Sequence, residues 1–179
     1  MPGLRALSPA RRRLVVVVIS ALTVAVLAVT GLALWGSATG SVTPVAQDQP
    51  GPVLLIPGYG GSTGALDVLA AELRVAGRDA TVLQLAGDGT GDLNVQAEIL
   101  AAAATAAIER TGAASVDVVG YSAGGVVARL WVRDHEGAGL ARRVVTLGSP
   151  HHGTTVAELA IALAPDECPP ACRQLVPGS

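Results

Sequence analysis

The tightest constraint on this chain is a pentapeptide, Gly120-Tyr121-Ser122-Ala123-Gly124. It follows the apolar run Val116-Asp117-Val118-Val119 and opens an amphipathic stretch to about His135, expected to bury Val126, Val127, Leu130 and Trp131. Gly120 and Gly124 permit a sharp turn from strand to helix, because larger side chains there would strike neighbouring backbone. Ser122 would then carry its hydroxyl outward beside a helix N-terminus, where developing negative charge is favoured. The competing reading is a glycine-rich turn without chemistry. Either way, the turn needs a strand before it, a helix after it and neighbours to hold both.

The neighbours are legible from Val53 onward. Val53-Leu54-Leu55-Ile56 is a continuous apolar run, as expected of a strand buried on both faces. Pro57-Gly58-Tyr59-Gly60-Gly61 reads as a tight loop. Ser62 or Thr63 can cap a helix to about Ala76, with Leu66, Leu69 and Leu73 on one face and Gly77 at its end. A strand over Ala80–Leu85, a loop over Gly87–Asp92 and an alanine-rich helix over Leu93–Arg110 follow. Val95, Ile99 and Ala103 are expected on one side of that helix, and Gly112 closes it. Further strands are expected over Ser115–Val119 and Arg142–Leu147, and a last helix over Thr154–Leu163. Alternation of this kind predicts an α/β fold with a mostly parallel sheet and helices on both faces. In such sheets chemistry gathers at the carboxyl ends of the strands, where the loops after Ile56, Leu85, Val119 and Leu147 lie.

Upstream the chain is different. Leu14 to Trp35 contains no charged residue; as a helix it would span about 33 Å, enough for a hydrocarbon core of about 30 Å. Arg5 and Arg11–Arg13 precede it, and all 14 acidic residues follow it. The division expected is a cytoplasmic basic tail (1–13), one N-terminal transmembrane signal anchor or signal peptide (14–36), a flexible linker (37–52) and a folded domain (53–179). Two readings stay open: an uncleaved anchor with Trp35 at the interface, or a signal removed near Gly36-Ser37-Ala38. One leaves the domain tethered outside the cell membrane and the other secretes it. The distal part sets eight arginines against the 14 acids, which argues against nucleic-acid partners. Lysine is absent, which excludes a P-loop lysine or a Schiff base, and no cofactor is called for.

Acyl transfer at Ser122 would need two oxyanion donors. Ala123 N–H is one candidate; Tyr59 N–H, in a glycine-rich loop that can approach a substrate closely, is the other. Three segments occur in order: Leu54 to Ser62, Val118 to Arg129, and Val145-Thr146-Leu147-Gly148-Ser149-Pro150-His151-His152-Gly153-Thr154. Together they resemble the extracellular bacterial triacylglycerol lipases and esterases of the α/β-hydrolase fold. The resemblance implies a partial α/β-hydrolase fold, hydrolysis of a small-molecule or lipid carboxylic ester, Ser122 as nucleophile, and Tyr59 and Ala123 as oxyanion donors. Many members carry His-Gly where this chain has Pro57-Gly58; since the donor is a backbone group, the change matters little.

The acid and base are not identifiable. In this fold the order is Ser, then Asp or Glu, then His, and the only histidines are His135, His151 and His152. His135 reads as a solvated helix end, and the other two as loop imidazoles bonding locally. The expectation is a chain that stops before the missing residues and turns over little or no ester by itself. An acyltransferase of the same fold and a non-catalytic interaction protein are the alternatives. Cys168 and Cys172, the only cysteines, are expected to form a disulfide in an exported domain. No metal site is expected, and oligomeric state is not legible.

Overall fold

The computed structural model describes residues 9–38 and 44–179, without the side chains of residues 9, 12 and 31–38. The expectations for the basic tail before residue 9, for linker residues 39–43 and for the indole of Trp35 lie outside that range. The chain divides into two units, Met1–Val42 and Thr43–Ser179.

The first unit is helix α1, Pro9–Ala38. Its stretch Arg13–Thr30 is apolar and long enough to cross a membrane. The hydroxyls of Thr23 and Thr30 donate back to the carbonyls of Ile19 and Val26, each at 2.8 Å. Both hydroxyls are thereby satisfied within the helix itself.

The second unit is a four-stranded parallel sheet with strand order β2-β1-β3-β4. The strands are β1 (Val53–Ile56), β2 (Ala80–Val82), β3 (Val116–Tyr121) and β4 (Ala141–Leu147). The helices are α2 (Gly64–Val75), α3 (Leu93–Thr111), α4 (Ala123–Asp134), α5 (Thr155–Leu163) and α6 (Pro170–Gln174). Alternation of side chains along β1 separates two cores. Leu54 and Ile56 join Val116 and Val118 beneath α3 and α4, whereas Val53 and Leu55 meet Leu66 and Ala70 of α2. Helices therefore cover both faces. Trp131 is fully buried in the larger core. β4 is an outer strand, with Val144, Val145 and Leu147 substantially exposed.

Several sequence expectations need correction. β2 stops at Val82 rather than Leu85, because its ladder ends where Leu83 N–H reaches Leu55 O and β1 itself ends one residue later. The buried face of α3 is Leu93, Gln96, Ala97, Leu100, Ala104 and Ala107, and Val95 is exposed. Alanine on every side of this helix leaves little amphipathic signal, and the small side chains allow close packing instead. In α4 the buried set is Val127, Ala128 and Trp131 with the first turn, while Val126 and Leu130 are only partly buried. Thr63 precedes α2 without a capping bond from its side chain. Residues 47–52, read as the end of the linker, are bonded to the domain: Asp117 N–H donates to Pro52 O at 2.8 Å and Arg142 Nη1 to Gln47 O at 2.9 Å.

Helix α6 was not anticipated. Its residues tie the C-terminal segment back to α3 and α5, with Leu93 N–H donating to Gln174 Oε1 and Thr154 N–H to Leu175 O, both at 2.8 Å. The Cys168–Cys172 disulfide, at a Cα separation of 5.4 Å, closes the entry to this helix. A loop so short restrains few unfolded conformations. Replacing both cysteines with alanine should lower stability by about 2 kcal/mol, as a shift in urea midpoint without a change in slope.

Candidate active site

Ser122 stands between the last residue of β3 and the first of α4, with φ 52° and ψ −124°. These angles are close to the first central position of a type II′ turn, which is ordinarily glycine. A side chain held there costs about 1–2 kcal/mol, so the surroundings must enforce it. They do so by direct backbone contact. A methyl group on Gly120 would stand 2.5 Å from the Cα of Gly125, and one on Gly124 would stand 2.5 Å from Pro57 O. Helix α4 is thus wedged at once against its own preceding strand and against the loop after β1. Ser122 N–H donates to Leu147 O at 2.8 Å, fastening the turn to β4.

The loop after β1 lies on the other side of the serine. A methyl group on Gly58 would stand 2.8 Å from Ser122 Cβ and 3.4 Å from its Oγ. Gly61 N–H closes this loop onto Gly58 O at 3.0 Å. Among the described residues Tyr59 N–H has no acceptor, and Ala123 N–H, in the first turn of α4, has no intrahelical one. The glycine-rich turn after β2, read as a loop from Gly87, backs the same loop: a methyl group on Gly89 would stand 2.8 Å from Gly61 N.

The histidines stand elsewhere in the network. His135 follows the far end of α4. His151 sets Nε2 3.1 Å from Thr146 Oγ1 and accepts from Arg129 Nη1 on its carbonyl at 3.2 Å; its Nδ1 is buried without a partner. His152 is exposed. Among the described residues no histidine pairs with a carboxylate, and no three His, Cys, Asp or Glu side chains cluster to hold a metal ion.

Opposite the serine, at the amino ends of the strands, is a cluster the sequence reading missed. Asp117 of β3 accepts from Arg142 Nε at 2.9 Å, from Arg142 Nη2, and from Arg78 Nη2 at 2.7 Å. Burial would raise the pKa of Asp117, but the bonds from Arg142 and Arg78 outweigh it and hold the carboxyl below its usual range. The signal was available: an aspartate inside an apolar strand requires a buried partner.

A parallel sheet with a strained serine elbow at a strand's carboxyl end, faced by a glycine-lined loop, defines a domain of the α/β-hydrolase fold. The family is found by sequence: residues 48–161 match the PGAP1-like alpha/beta domain, and the chain belongs to that family. No curated protein matches the chain. Among solved structures it is similar to Bacillus licheniformis lipase BlEst2 in its mature form, at 27% identity and a TM-score of 0.62, over 75% of this chain and 59% of that one. The propeptide form of the same lipase gives 26% identity and 0.63, over 75% and 31%. Aspergillus fumigatus lipase B, at 20% identity and 0.50 over 60% and 26%, shares the fold. The chain spans 59% of the length of the mature Bacillus lipase.

Proposed function

We propose that this domain carries the nucleophile of a serine hydrolase acting on carboxylic esters, anchored at or exported across a membrane by α1. Ser122 attacks the ester carbonyl, and the amide hydrogens of Tyr59 and Ala123 hold the oxyanion while the alcohol leaves and the acyl group stays on Oγ. The observation that carries this reading is the backbone of Ser122, a non-glycine residue at φ 52° and ψ −124° with Gly58 packed against its Cβ. Strain kept at a side chain that packs no core is accounted for by presentation of its hydroxyl. The similar Bacillus protein is named a lipase, which agrees with an ester substrate.

The reaction also needs a base to take the serine proton. Among the described residues no histidine is hydrogen-bonded to Ser122 or to a carboxylate, so this chain by itself should turn over ester at close to background rates. The same observation favours a second reading, a hydrolase-like interaction domain without catalysis.

One experiment separates the two. The full chain in nanodiscs is treated with a fluorophosphonate probe, with and without imidazole as an external base. Phosphonylation of Ser122, accelerated by imidazole, is expected on the arginine-bounded peptide 111–129, and Ser122→Ala should abolish it. Absence of labelling under both conditions, or equal labelling of the variant, removes Ser122 from this role and leaves the interaction domain.

A further inference from the structure

Behind the elbow, α4 walls a cavity of about 670 Å³ together with the His151 loop, the start of α3 and the segment after α6. Ser122, Gly58 and Tyr59 do not line it. Its wall on α4 is Val126, Arg129, Leu130 and Arg133, spaced three, four and seven residues from the first and so sharing one helix face. The volume suits a small organic ligand.

The charged side chains of the lining are of one sign. No aspartate or glutamate lines the cavity, although the domain as a whole is acidic. Arg133 is already engaged by Asp134, at 2.8 and 2.6 Å. Arg129 is not: its bond among the described residues is to the His151 carbonyl, and it has no carboxylate partner there. Beside these groups Val126 and Leu130 present partly buried apolar surface. A guanidinium without a carboxylate partner beside an aliphatic wall matches a planar monoanion with an alkyl chain. A dianion such as phosphate would leave one charge uncompensated and the aliphatic wall unused.

We propose that this cavity binds an amphipathic organic acid, with its carboxylate on Arg129 and its alkyl chain along Val126 and Leu130. The proposal does not rest on Ser122 being a nucleophile.

The test is isothermal titration calorimetry of the full chain in zwitterionic nanodiscs against octanoate and against 1-octanol, with empty nanodiscs as the blank. Octanoate should bind more tightly than octanol by about 10- to 100-fold. Arg129→Gln should remove that advantage and leave octanol binding unchanged, Arg129→Lys should restore part of it, and Ser122→Ala should not alter it. Far-UV circular dichroism confirms that each variant retains its helices. Equal binding of the two ligands, no binding of octanoate, or an unaffected Arg129→Gln variant overturns the proposal. Loss of octanoate binding in Ser122→Ala overturns it too, since the ligand would then sit at the elbow.

Discussion

Gly124→Ala should lower the stability of the folded domain by about 3 kcal/mol or more, although it adds a single carbon to a helix. Elsewhere such a change is favourable, because alanine loses less freedom on folding than glycine. Here the added carbon would meet the carbonyl oxygens of Ile56 and Pro57, the latter at 2.5 Å. Both belong to main chain at the end of β1, where Ile56 is fully buried, so neither can turn aside as a side chain could. Relief requires α4 to retreat from β1, which breaks the packing of Trp131 and Val127 and pulls Ser122 off Gly58. Gly64→Ala is the matched control: it lies in α2 with nothing near its added carbon, and should be neutral or stabilising by about 0.5 kcal/mol. Thermal unfolding of the full chain should put the Gly124 variant about 10 °C below the wild type. If the two alanine variants melt alike, α4 is not wedged against β1, and the support for an enforced serine turn disappears.

The parts of the fold that could be read in advance are those with one dominant physical demand. β1 is apolar at every position because both its faces are covered, and the pentapeptide around Ser122 admits few backbones. The loop after β1 could be paired with the serine because glycines in sequence mark places where backbone must come close, and Gly58 does stand against Ser122. What could not be read depends on partners distant in sequence. Alanine has no preferred side, so the inward face of α3 is chosen by what β1 and β3 present to it. The length of β2 is decided by where β1 ends. Helix α6 is five residues long and owes its place to bonds with α3 and α5 rather than to its own pattern. The cavity on α4 was hidden for a related reason. Val126 and Leu130 looked like core in the sequence, and only the packed helices show that they are partly left out of it.

Asp117→Asn should destabilise the domain at neutral pH by about 3–5 kcal/mol, and the loss should shrink as the solution is made acid. Asp117 lies on β3 between the fully buried Val116 and Val118. Its carboxylate is the anion that faces Arg142, whose side chain is only 4% exposed, and it also holds Arg78. Asparagine keeps the shape and removes the charge, leaving a buried guanidinium uncompensated. Arg142 also donates to Gln47 O and Arg78 to Gly51 O, so a loosened cluster releases residues 47–51 as well. The folded carboxyl titrates below the unfolded value of 3.8. A depressed folded pKa means that the unfolded chain takes up the proton first, so the charge contributes its full stability above the unfolded value. That contribution drains away as the pH falls through 3.8 and then through the lower folded value. Urea midpoints taken from pH 7 to pH 3 should therefore draw closer for wild type and Asp117→Asn toward the acid end. The Asp79–Arg110 pair supplies the contrast, since both its side chains are well exposed and water already screens them. Asp79→Asn should scarcely move the midpoint at any pH. A gap between wild type and Asp117→Asn that stays constant down to pH 3 would show that the loss comes from packing, and that the ion cluster is not what joins the amino ends of β3 and β4.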